Sequence, residues 1–196
     1  MAGVDRNLLP AHIVCLAGSA GALAAYRAIL SAIPPESDMA FIVVAHRRPG
    51  FDHLLGPLLR SVTAMPVHDI AQGQSIERGT VLLLPARHDL AFVDGRLLLS
   101  AQSNADERIT TITRFLRSLA MDAGVRSVAV ILSGLADDGS AALSAIKAAG
   151  GMTFAQGDAE WSDMPTNAIR TGYVDSVLSS GSIGETLAAL ARARPH

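Results

Sequence analysis

Short apolar runs separated by longer stretches of helical periodicity constrain this chain more than any other feature of its sequence. HIVCLA (12–17), AFIVVAH (40–46), TVLLLPA (80–86) and RSVAVILSG (126–134) lack the polar alternation of a strand with one wet face, so each is expected to be a strand buried on both sides. MTFAQ (152–156) reads as a further strand and VDSVLS (174–179) as a last short strand or turn. Between them lie helical patterns: ALAAYRAILSAI (22–33), stopped by Pro34-Pro35; FDHLLGPLLRSV (51–62), weakened by Gly56-Pro57; and DERITTITRFLRSLAMDAG (106–124), closed by a glycine. DGSAALSAIKAAG (138–150), MPTNAIRTG (164–172) and SIGETLAALARA (182–193) complete the helices, and DLAFVDGRLLLS (89–100) has the form of a hairpin turning at Asp94-Gly95. Buried strands alternating with helices define a doubly wound α/β domain: a mainly parallel sheet with helices on both faces, with an antiparallel hairpin at its edge. No repeat, low-complexity tract or linker divides the 196 residues, so the expectation is a single domain over 1–196 with its core from 12 to 192.

Composition narrows the classes of function. Hydrophobic residues make up 49% and charged residues 17%, which excludes an intrinsically disordered chain. A net charge of −2 supplies no basic field for nucleic acid or an anionic membrane. The lone cysteine, Cys15, sits inside the first apolar run, where it suits a buried small hydrophobe in a reducing compartment. The start MAGVDRNLLPAH lacks the basic-then-apolar pattern of a signal peptide, and no apolar run approaches the ~20 residues a membrane helix needs. The expectation is a soluble cytoplasmic domain without membrane insertion.

In doubly wound sheets, sites form beyond the carboxyl ends of the strands. That rule singles out Gly18-Ser19, His46 and SGLADDG (133–139). Ser19 stands at a strand-to-helix turn, where a hydroxyl can be held out beside the free amides of a helix start. Taken alone, a serine in a small-residue turn or helix cap is commoner, and the G-x-S-x-G elbow is not met because Ala17 fills the first glycine position. His46 closes an apolar strand and could take a proton from a serine; a loop histidine is the plainer alternative. Asp137 and Asp138 precede a helical pattern, where a carboxylate is favoured with or without catalysis, but the flanking Gly134 and Gly139 would also let backbone amides converge there. Nucleophile, base and orienting acid types thus all fall at strand ends, which is the logic of a triad. No H-E-x-x-H or H-x-x-x-H pair occurs and one cysteine makes no thiolate set, so neither a metal nor another cofactor is expected.

AGSAGAL, VVAHRRPGF, GTVLLLPARHDL, VILSGLADDGSAAL, IKAAGGMTFAQ and MPTNAIRTGYVDSVL, in that order, resemble the catalytic domain of the chemotaxis protein-glutamate methylesterase family (CheB). The resemblance runs from about His12 to Arg192. It implies a serine hydrolase that cleaves glutamate methyl esters on chemoreceptors and releases methanol, with glutamine deamidation in some members. Carried over by position, Ser19 is the nucleophile, His46 the general base and Asp138 the orienting carboxylate. The oxyanion donors fall on the Leu135 amide and on an amide near Ser19 and Ala20. His88 falls at the rim, and Met164 with Pro165 matches a turn that is structural or part of the cleft wall.

The chain also departs from the family pattern. Ala20 and Ala22 replace a threonine and a glycine, Arg47-Arg48 replaces apolar and proline positions, and Thr113 stands where members often carry aspartate. With eleven residues ahead of the first strand, no room is expected for the receiver domain that regulates full-length members. Two alternatives stay beside the methylesterase: a partner-binding module of the same fold, and an esterase acting on a non-receptor ester.

Overall fold

The computed structural model of the chain describes residues 9–45, 54–102, 110–135 and 137–192. Seven strands form the main sheet: β1 (His12–Gly18), β2 (Met39–Ala45), β3 (Val67–Asp69), β5 (Thr80–Leu83), β8 (Ser127–Ile131), β9 (Met152–Gln156) and β10 (Ser176–Leu178). Their order is β10-β9-β8-β1-β2-β5-β3, and all six neighbouring pairs are parallel. The chain starts at the centre with β1, steps to β2, lays β3 at the edge before β5 fills the gap between them, then crosses back to β8 on the other flank of β1. That reversal opens a crevice at the carboxyl ends of β1 and β8, where doubly wound sheets bind their ligands.

Burial on both faces explains the apolar runs. Ile13, Cys15 and Ala17 of β1 face one core, and Val14 and Leu16 face the other. The first core is closed by α3 (Thr111–Ala123), α4 (Leu143–Ala148) and α5 (Asp163–Arg170). The second is closed by α1 (Ala22–Ala32), α2 (Leu55–Arg60) and α6 (Ser180–Arg192). On α3 the buried Ile112, Phe115, Leu116, Leu119 and Ala123 recur at three- and four-residue spacing, one stripe of a helix. Leu116→Ala there should cost about 2–5 kcal/mol.

The expected hairpin is present as β6 (His88–Val93) and β7 (Arg96–Ala101), turning at Asp94-Gly95. It does not extend the main sheet. It joins β4 (Gln74–Ser75) in a separate antiparallel sheet, whose Leu90, Phe92 and Leu97 pack into the first core. Several expected boundaries contract. TVLLLPA pairs only to Leu83, because Pro85 has no N–H to continue a ladder. The helix expected over 51–62 spans Leu55–Arg60, with Pro57 in its first turn, where a missing N–H costs nothing; residues 51–53 lie outside the described set. The helix expected from Asp138 opens with a 3-10 turn at Ser140–Ala142 before α4 begins. Among the described residues no helix is long and apolar enough to cross a membrane.

Candidate active site

Ser19 follows Gly18 at the end of β1, half-buried, and Gly21 closes the turn into α1 with φ +74°. The turn is anchored across the crevice: the Ser19 amide donates to the Ser133 carbonyl at 2.9 Å. Gly134 makes this approach feasible. A Cβ at Gly134 would overlap Met164 Sδ and lie 2.9 Å from Ser19 Cβ, so a side chain there would push against the serine itself. Met164 is wholly buried, and its amide donates to the Gly134 carbonyl at 3.0 Å, which fixes it as a wall beneath Ser19.

Asp138 is 2% exposed, and the start of α3 is wrapped around its carboxylate. Oδ2 accepts the Ile112 amide at 3.1 Å. Oδ1 accepts the Thr113 amide and the Thr113 hydroxyl, each at 3.0 Å, and also the Thr110 hydroxyl. A carboxylate at a helix N-terminus satisfies amides that have no partner within the helix and is itself favoured by the helix dipole. The helix concerned is α3, not the helix that follows Asp138 in sequence. Thr113, at the position where the family often has aspartate, donates to Asp138 and accepts the Gly139 amide at 3.0 Å. Burial pushes the Cys15 thiol far up, and the charge of Asp138 adds to that rise.

Of the other residues singled out by sequence, Leu135 is exposed directly after Gly134, and Asp137 is exposed with its carbonyl accepting the Ser140 amide at 3.2 Å. Among the described residues, the Ala20 and Leu135 amides have no hydrogen-bond partner. His88 opens β6 half-buried and donates from Nδ1 to the Ala86 carbonyl at 2.8 Å; it makes no hydrogen bond to Ser19 or Asp138 among the described residues. His46 follows Ala45, the last residue of β2, in sequence; it lies outside the described residues, as do Arg47 and Arg48. Among the described residues no group of three His, Cys, Asp or Glu side chains could hold a metal ion.

Sequence reasoning assigned no role to three participants, although Ser133 opens the SGLADDG segment it singled out. Ser133 links the two halves of the crevice, Thr110 completes the shell of Asp138, and Trp161 stands at the rim, half-exposed, with its Cδ1 close to Gly21. Each acts through partners distant in sequence, so only the fold reveals their parts.

A parallel sheet with a serine, a buried carboxylate and a glycine-lined approach at its switch point defines an α/β protein with a candidate site in the crevice between β1 and β8. The chain belongs to the CheB methylesterase family, whose model matches residues 14–187. It is 30% identical over 174 residues to a protein-glutamate methylesterase/protein-glutamine glutaminase of Geobacter sulfurreducens, covering 86% of this chain and 47% of that protein. A protein of the same designation from Rhizobium meliloti is 34% identical over 189 residues, covering 94% of this chain and 53% of that one. The chain thus spans about half the length of the curated relatives it matches. The crystal structure of the Thermotoga maritima CheB methylesterase catalytic domain superposes with a TM-score of 0.83 at 26% identity, covering 91% of this chain and 98% of that one.

Proposed function

We propose that this chain is a catalytic unit that hydrolyses glutamate methyl esters on chemoreceptor segments in the cytoplasm, with Ser19 as nucleophile, His46 as general base and Asp138 as the acid that orients it. The observation that carries this reading is the pairing at one sheet edge of a turn-borne serine with a carboxylate sheltered from water. Ser19 Oγ attacks the ester carbonyl carbon while His46 takes its proton. The tetrahedral oxyanion meets the Ala20 and Leu135 amides. Collapse breaks the carbonyl–methoxy bond, and His46 delivers the proton so that methanol leaves. Water, deprotonated by His46, then attacks the acyl-enzyme, freeing the glutamate carboxylate and restoring Ser19. Asp138 fixes the imidazole tautomer and steadies its positive charge. The same attack on a glutamine side chain would release ammonia, which accounts for the glutaminase designation of the relatives.

Thr113 replaces a carboxylate that members often carry, yet its hydroxyl supports Asp138 directly. The substitution is therefore compatible with the same reaction. The test is methanol release from a methylated receptor fragment by wild type and Ser19→Ala. Loss of release in the variant is expected. Equal release from both would remove Ser19 as the nucleophile, and no release from wild type would overturn the esterase reading and leave a binding module.

A further inference from the structure

Ser133 is fully buried, and its backbone and hydroxyl take part in four hydrogen bonds, two of them to the Ser19 turn. Its carbonyl accepts the Ser19 amide at 2.9 Å. Its hydroxyl donates to the Ala20 carbonyl at 2.8 Å and accepts the Trp161 amide at 3.0 Å. The Trp161 carbonyl lies 3.4 Å from the same hydroxyl, well beyond the 2.8 Å of the Ala20 carbonyl, so the single hydroxyl proton goes to Ala20. The Ser133 amide in turn donates to Gln156 Oε1 at 2.9 Å.

Two of these bonds pin the amide of Ser19 and the carbonyl of Ala20, the groups that flank the Ser19–Ala20 peptide. With both flanks held, that peptide plane cannot rotate freely. Its orientation sets where the Ser19 side chain leaves the backbone and where the Ala20 amide points. Gly21 leaves the space this requires, since a Cβ there would lie 2.7 Å from Ser133 Oγ. Gln156 is held from behind: its Nε2 donates to Asp158 Oδ1 at 3.0 Å, and that oxygen accepts the Ser180 amide at 2.9 Å where α6 begins. Burial pushes the Asp158 carboxyl up, but the hydrogen bonds from Ser180 and Gln156 outweigh it and hold the group ionised below its usual range. The clamp therefore reaches from the nucleophile turn through β9 into α6.

We propose that Ser133 is a positioning residue of the reaction: without touching substrate, it sets the direction of the Ser19 hydroxyl and of the Ala20 amide through paired bonds to their shared turn. This inference rests on the esterase reading. Misplacing reacting groups by about 1 Å costs on the order of 10²-fold in rate. Ser133→Ala keeps the backbone bond to Ser19 and removes both hydroxyl bonds.

The experiment measures hydrolysis of a synthetic peptide bearing a glutamate γ-methyl ester, together with labelling of Ser19 by a fluorophosphonate, followed as a rate constant and a final labelled fraction. In Ser133→Ala, kcat and the labelling rate constant should both fall by about 10- to 100-fold, with KM within about twofold and the labelled fraction still complete. Ser133→Thr, which keeps the hydroxyl, should restore most of the rate. Gln156→Met, which removes the acceptor of the Ser133 amide, should lower the labelling rate constant by about tenfold and tests the same clamp if Ser133→Ala does not fold. An unchanged rate constant in the folded variants overturns the proposal, as does a reduced labelled fraction at normal rate, or a threonine variant no better than alanine. A wild type that neither hydrolyses the peptide nor labels at Ser19 overturns the esterase reading and this inference with it, a result distinct from an active wild type matched by an equally active Ser133→Ala.

Discussion

The two ends of the main sheet hold their carboxylates in different ways. At the amino end, charge meets charge: Lys147 Nζ lies 2.7 Å from Asp175 Oδ1, and Arg78 Nε lies 3.1 Å from Asp38 Oδ1, with all four side chains partly exposed. At the carboxyl end, the described donors to Asp138 are neutral amides and hydroxyls, and the group is almost wholly buried. Exposed ion pairs are screened and contribute little, about 0–1 kcal/mol each. Buried dipoles aimed at one carboxylate cannot follow the solvent, so they fix its place in the crevice. One end secures the chain, and the other prepares a site.

Substitutions at the two ends should separate accordingly. Ser19→Ala should lower kcat for methyl-ester hydrolysis by about 10⁴- to 10⁶-fold with an unchanged thermal midpoint. Asp138→Asn should lower kcat by about 10²- to 10⁴-fold. Unlike the serine variant it should also lose about 1–3 kcal/mol in denaturant unfolding, because α3 loses a charged acceptor at its first turn. Gly134→Ala, by crowding Met164 and Ser19, should cost about 1–3 kcal/mol and lower kcat more than KM changes. At the amino end, Asp175→Asn should shift stability by at most about 1 kcal/mol and leave kcat within about twofold. A loss of kcat in Asp175→Asn comparable with that of Asp138→Asn would break the division.

The smallest effect is in pH. Burial lowers the His12 pKa, with Asp38 opposing and Arg126 adding to the shift. The unfolded chain therefore binds the His12 proton first, and stability present above about pH 6.5 drains away as pH falls below it. Asp175 is pushed up by burial and pulled further down by hydrogen bonds from Lys147 and Thr153, so its contribution is present above about pH 4 and lost as pH falls through its depressed folded value. Thermal midpoints measured from pH 7 to pH 3 should decline in two stages. His12→Leu should flatten the upper stage and Asp175→Asn the lower one.

The features visible in the sequence are those that depend on local pattern. Ile13 to Ala17 and Val128 to Ile131 are apolar on successive residues because both faces are covered, and the Asp94-Gly95 turn announces its hairpin. β3 and β4 gave no such sign. His68 and Asp69 of β3 are exposed, and this short strand exists because β5 offers a ladder beside it. The capping of α3 by Asp138 was equally invisible, since its amides and their acceptor are more than twenty residues apart. Ser19 stood at a strand end and was legible as a candidate. Ser133 lay inside an apolar run, and its part depends on contacts that only the folded crevice supplies.

The hydroxyl of Ser133 and the carbonyl of Ala20 are 113 residues apart in the chain. Closing so long a loop carries an entropic cost, and β8 must pair beside β1 across all the chain between them. A chain that has formed β1, α1 and β2 already owns its serine but has no clamp and no Asp138 beside it. On the proposed mechanism, Ser19 is therefore inert through synthesis and collapse and becomes reactive only once β8 has docked beside β1. Fluorophosphonate labelling of Ser19 during refolding should therefore lag the recovery of helix signal, so that reactivity itself reports the end of folding.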